Sequence, residues 1–154
     1  MDAQSIYAAL LTLLLIMVTT VFHFEALRFL AGFVGKRRRT HYGTLISLLV
    51  GVIAVHVIEI GLYAGAYVLG TGPLNLGSFK GAGTVTGLDF FYFAAETYST
   101  LGYGDVIPTG QLRLIASIEP LNGLMLLAWS GSFLFILIQD VTSKVNERRD
   151  HGHS

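Results

Sequence analysis

The chain has 154 residues, 53% hydrophobic and 13% charged, and its mean hydropathy of +0.62 exceeds what the surface of a water-soluble domain carries. Ten Lys and Arg balance ten Asp and Glu, which excludes a general nucleic-acid or polyanion binder, because that affinity comes from neutralising phosphates. With no cysteine there is no disulfide framework, thiolate nucleophile or Cys-based zinc centre.

Residues 1–35 read as an N-terminal transmembrane helix, since 5–22 carry no charge and the apolar run approaches the roughly 20 residues needed to cross about 30 Å of hydrocarbon. An acidic start at Asp2 and a run that continues past Leu15 do not suit a cleaved signal peptide, so the helix is expected to stay. His23, Glu25 and Arg28 fall near its inner end, where snorkelling accounts for them. Residues 36–42 are a basic cytoplasmic linker carrying Lys36, Arg37, Arg38 and Arg39. With Lys144, Arg148 and Arg149 at the far end they set the orientation: both clusters inside, the N-terminus outside and the C-terminus cytoplasmic. The four linker bases are a topology signal or, alternatively, a contact for anionic membrane lipids.

The second span, 43–70, holds His56 and Glu59, three apart and so on one helix face. Such groups are costly in a membrane, and the pair reads either as structural hydrogen bonding to a neighbouring helix or as a proton-sensitive gating element. An irregular outer loop, 71–87, follows, rich in Gly and containing Pro73. Residues 88–99 are apolar and aromatic but too few to cross, which predicts a re-entrant pore helix with Asp89 in its first turn, as the helix dipole favours.

The next residues are Thr100, Leu101, Gly102, Tyr103, Gly104 and Asp105. A row of carbonyls pointing one way along an extended strand needs backbone dihedrals that alternate in hand, and glycine adopts positive φ without steric cost. Four such strands stack rings of oxygens that replace a cation's hydration shell. The segment resembles the selectivity filter of potassium channels, usually Thr-Val-Gly-Tyr-Gly followed by Asp. The likeness runs from 43 to 139, the two-helix pore module of the bacterial type, and leaves the first helix outside it.

That resemblance implies K+ ions at Thr100, Leu101, Gly102 and Tyr103, no other cofactor, a homotetramer and a bacterial plasma membrane. Leu101 replaces the usual Val at a position that contributes a backbone carbonyl. Glu96 and Asp105 match positions where some bacterial potassium channels place two acids that meet behind the filter and share a proton. Tyr92 and Phe93 stand where the family commonly has Trp, and the Tyr92 hydroxyl is able to donate to Asp105.

The inner helix is expected over 111–139, after a short exit at Val106, Ile107 and Pro108. Gly123 falls about where the family's inner helix carries a hinge glycine, although close helix packing explains it equally well. Pro120 is a second weak point, and Glu119, expected beside the pore helix and outside the ion path, reads either as a gating residue, with Gly123, Pro120, His56 and Glu59, or as a protonated carboxyl bonded to backbone. Residues 140–154 read as a short cytoplasmic tail in which His151 and His153 have at most incidental metal affinity. No phosphate loop, nucleophile elbow or zinc-protease helix occurs. His23 and His56 are expected at different depths, which argues against a haem-bearing bundle. The expected fold is therefore an all-α membrane protein of three transmembrane helices plus a re-entrant pore helix and filter loop, assembled as a tetramer. The expected function is that of a potassium-selective pore subunit and not an enzyme, with a non-conducting scaffold or accessory subunit, or a weakly selective cation channel, as alternatives.

Overall fold

A computed structural model describes residues 2–35, 42–81 and 85–151, with side chains placed over 2–32, 43–81 and 85–139. The elements run α1 (Ala3–Gly35), α2 (Tyr42–Thr71), β1 (Phe79–Gly81), α3 (Gly87–Tyr98), β2 (Val106–Pro108) and α4 (Leu112–His151). Within them Ala3–Gly32, Gly43–Thr71 and Leu112–Gln139 are long and apolar enough to span. The chain is an all-α membrane protein apart from one small ribbon, in which β1 pairs antiparallel with β2 and Lys80 faces Ile107. The linker bases Lys36, Arg37, Arg38 and Arg39 lie outside the described residues.

The spanning helices bury most of their polar groups and leave many large apolar side chains exposed. On α1 the buried stripe is Ala8, Thr12, Leu15, Thr19, His23 and Leu27, at the three-and-four spacing of one helix face, while Leu10, Leu13, Leu14, Met17 and Val21 are exposed. Helix α2 buries His56, Glu59, Tyr63 and Tyr67, and α4 buries Glu119, Asn122 and Ser130. Lipid solvates the apolar faces at no cost, so the polar groups are the ones that must find partners inside. Asn122 shows how: its Nδ2 donates to Thr19 Oγ1 at 2.7 Å and to the Tyr63 hydroxyl at 3.0 Å, joining all three spans. Thr12 and Thr19 return their own hydroxyls to the carbonyls one turn back, at 2.7 and 2.8 Å.

Helix α3 packs between α2 and α4, and α1 lies against both of those spans. The aromatic centre of the core is Tyr67, Phe79 and Phe93, whose rings meet edge to face at centroid separations of 4.8 to 5.5 Å. At the N-terminal end of α1, Gln4 Nε2 donates to the Asn75 carbonyl at 3.0 Å, so the chain start and the outer loop share one end of the bundle. Two boundaries differ from expectation. The outer loop contains a strand, because Ser78 and Thr109 bond across it in both directions. Helix α4 also runs on to His151, where a tail from 140 is expected, since nothing between 139 and 151 breaks a helix.

Candidate functional site

The segment expected to form the filter, residues 100–105, is launched by α3. Asp89 Oδ2 accepts from the Thr86 N–H at 2.6 Å and the Thr86 hydroxyl at 2.8 Å, fixing the helix start, and these bonds hold the Asp89 carboxyl below its ordinary range. At the other end the Glu96 carbonyl accepts from Leu101 N–H at 2.8 Å and from Gly102 N–H at 3.2 Å, which turns the chain sharply out of the helix. The backbone then alternates in hand: φ is +62° at Thr100, +55° at Gly102 and +78° at Gly104. Both glycines sit where the alternation requires them. Thr100 is a β-branched residue in the left-handed region, a conformation that costs on the order of 1–3 kcal/mol and persists only where its surroundings impose it.

Glu96 holds the strand a second time, through its side chain. Oε2 accepts from Tyr103 N–H at 3.0 Å, so one residue restrains three successive filter amides. Burial pushes the Glu96 carboxyl above its ordinary range; the Tyr103 N–H opposes this and the Asp105 charge adds to it. Glu96 and Asp105 are not joined by a hydrogen bond within the one chain. Asp105 Oδ2 instead accepts from the Tyr92 hydroxyl at 3.1 Å, and the Tyr92 ring stacks on Tyr103 with planes 4° apart and centroids 6.3 Å apart. The Tyr92 side chain thus reaches Asp105 as expected. Leu101 and Tyr103 remain 57% and 65% exposed, large side chains turned away from their own chain's core.

A family profile described as an ion channel matches residues 45–140, well over half of the chain. The chain belongs to this ion-channel family. No curated protein and no solved structure matches it.

In this channel the expected gating residues fall in two places. Gly123 is pressed against the end of the pore helix: a Cβ there would overlap the Tyr98 carbonyl oxygen and sit 3.0 Å from the Tyr98 ring, so its small size serves close packing. Pro120 lies inside α4, which continues through it. Glu119 is fully buried, and its Oε2 accepts from the Tyr67 hydroxyl at 2.5 Å, a side-chain partner where backbone is expected. Glu119 Oε1 has no hydrogen-bond partner among the described residues.

His56 and Glu59 belong to a larger cluster. Glu59 accepts from Tyr98 Oη at 2.6 Å and lies 2.8 Å from His23 Nδ1 and 2.9 Å from His56 Nδ1. The snorkelling expected of His23 is overturned: the side chain is wholly buried, and its ring centroid is 5.3 Å from that of His56, so the two imidazoles share one depth. Helical drift explains the error, since Thr12, Thr19 and His23 follow one buried stripe that turns away from lipid while Glu25 and Arg28 pair with each other on the surface at 2.9 Å. Sequence reasoning missed Tyr98 and Ser130 here. The signal was present in the spacing, because His23 follows Thr19 and Ser130 follows Asn122 at helical intervals.

Proposed function

We propose that four copies of the channel surround one axis and conduct K+ through stacked rings of carbonyls from residues 100–104. One observation carries this reading: the alternation of backbone hand at Thr100, Gly102 and Gly104, which is what a row of carbonyls facing one way requires. The exposed Leu101 and Tyr103 side chains support assembly. An extended strand with only three amides bracketed is not viable at membrane depth unless other protein covers it, and a single chain supplies a single strand. The orientation follows the basic clusters, with the filter exit and N-terminus outside and the C-terminus cytoplasmic; the linker bases Lys36, Arg37, Arg38 and Arg39 then face the anionic lipid of the inner leaflet.

The test is reversal potential in a K+/Na+ gradient across a bilayer containing purified protein. A value near the K+ equilibrium potential is expected. No current identifies a scaffold or accessory subunit, and an intermediate value identifies a weakly selective cation channel; either result overturns the proposal. Native mass spectrometry in detergent is expected to give a tetramer, and a monomer, dimer or trimer as the largest species refutes the assembly.

A further inference from the structure

The cluster behind the pore helix has the composition and convergence of a metal centre. His23 from α1, with His56 and Glu59 from α2, offers ligand atoms that all lie within 4.8 Å of one another, and all three side chains are buried. Tyr98 Oη from α3 stands at a fourth corner, 2.6 Å from Glu59 Oε2 and 3.0 Å from His56 Nδ1. From α4, Ser130 Oγ contacts the far nitrogen of both rings, His56 Nε2 at 3.0 Å and His23 Nε2 at 3.3 Å. The geometry points to a divalent transition-metal site of the zinc class, with His23, His56 and Glu59 as ligands, Tyr98 completing a tetrahedron and Ser130 orienting both imidazoles from outside.

Hydrogen-bond accounting favours this arrangement. With a metal on the Nδ1 side, each imidazole keeps its proton on Nε2, and the two Nε2–H groups fill the two lone pairs of Ser130 Oγ, the outer support that metal-bound His residues need. Without a metal, both Nδ1–H groups serve Glu59 only while the one Ser130 hydroxyl hydrogen reaches a single Nε2; the alternative, with His56 Nε2–H donating to Ser130 and the Tyr98 hydroxyl turned to His56 Nδ1 at 3.0 Å, takes the Tyr98 proton away from the Glu59 carboxylate. Tetrahedral zinc separates its donors by about 3.3 Å, so the 2.8, 2.9 and 3.0 Å contacts must open by a few tenths of an ångström each and the 2.6 Å Tyr98–Glu59 contact by about 0.7 Å. Two imidazoles with two oxygens suit zinc-class ions, whereas Mg2+ and Ca2+ require six or more oxygens. The charges balance if the phenolic proton of Tyr98 leaves to water as the metal–oxygen bond forms: one dication faces one carboxylate and one phenolate. The Trp129 ring that packs on His23 at 5.5 Å also lines a cleft of about 470 Å3 with Thr20 and Asn122. His23 lies outside the span 45–140 that defines the family, so the site ties the additional helix to the back of the pore helix.

The experiment uses the purified full chain in detergent, stripped with chelator, dialysed against Zn2+ or Co2+ and assayed by elemental analysis and visible absorption. One metal per chain is expected, with the intense absorption of tetrahedral Co2+ and a raised unfolding temperature. A variant lacking the tail histidines, His151→Ala with His153→Ala, is expected to keep the metal. Ser130→Ala is expected to bind about 10- to 100-fold more weakly, and His23→Gln, which keeps hydrogen-bonding capacity for folding, to bind none. Retention lost only with the tail histidines, binding unaffected by His23→Gln, or no retained metal at all overturns the proposal. None of these readouts depends on ion flux.

Discussion

Replacing Glu96 by Ala tests what supports the filter. The Tyr103 N–H loses its only side-chain partner, Glu96 Oε2 at 3.0 Å, and no other described acceptor replaces it. A hydrogen bond to a charged group contributes about 1.5–3 kcal/mol net, and an orphaned buried donor costs a similar amount. The population of the conducting filter relative to collapsed forms should therefore fall by a factor of roughly 10 to 150, at 1.4 kcal/mol per decade. The Glu96 carbonyl bonds to Leu101 and Gly102 are made by backbone and survive, so the chain should still fold and assemble. Glu96→Gln keeps an acceptor in the same place and should recover most of the loss, with a neutral bond contributing about 0.5–1.5 kcal/mol. The assay is K+ over Na+ permeability in proteoliposomes, together with decay of current during sustained opening. Unchanged selectivity and persistence in the Ala variant refute the bracket. An equal defect in Gln and Ala refutes it in a different way, since the charge and not the acceptor would then matter, as a proton shared with Asp105 requires.

Three further outcomes are expected. Gly104→Ala places a side chain at φ +78° and should abolish conduction or K+/Na+ discrimination, while Leu101→Val leaves both near parental values; retained selectivity in the first rejects the filter assignment. Gly123→Ala drives a methyl into the Tyr98 backbone and should destabilise the α3–α4 contact by about 1–3 kcal/mol, read as a lower unfolding temperature; an unchanged temperature with altered gating favours the hinge. The raised Glu96 carboxyl predicts a pH dependence with two signs. The folded chain holds this proton more tightly than the unfolded chain, so the contribution to stability is complete below the unfolded value and lost as pH rises through the folded one. Protonation also weakens the acceptor for Tyr103, so selectivity should decline on acidification, with an inflection above the ordinary Glu value that is missing in Glu96→Gln.

The parts of the fold that lipid dictates were legible. Apolar length alone gave three spans and a segment too short to cross, because hydrocarbon thickness sets a fixed ruler. The left-handed positions at Gly102 and Gly104 followed from glycine spacing, whereas Thr100 at φ +62° did not, since no rule of composition places a β-branched residue there. The partners of the buried acids were harder. Glu96 lies seven residues before the Tyr103 amide that it accepts, a contact created by the turn at the helix end, and Glu119 finds Tyr67 across two helices. Depth assignments failed at His23 because distance along a helix does not say which side faces lipid; only the stripe of Thr12, Thr19 and His23, read together, does so.

That stripe also explains why α1 is more than an appendage to the pore module. Glu59 of α2 and Asn122 and Ser130 of α4 each have a partner on α1. Take away α1 and Glu59 Oε1 loses His23, Asn122 Nδ2 loses Thr19, and Ser130 loses one of its two imidazoles. An ionisable group at membrane depth is costly by at least about 2.5–3.5 kcal/mol for an acid such as Asp, and each broken interhelical hydrogen bond adds about 0.6 kcal/mol. The polar residues of residues 45–140 and those of α1 are therefore complementary halves of one arrangement. Tyr98 carries it inward, because the residue that bonds Glu59 is the last of α3, two before Thr100.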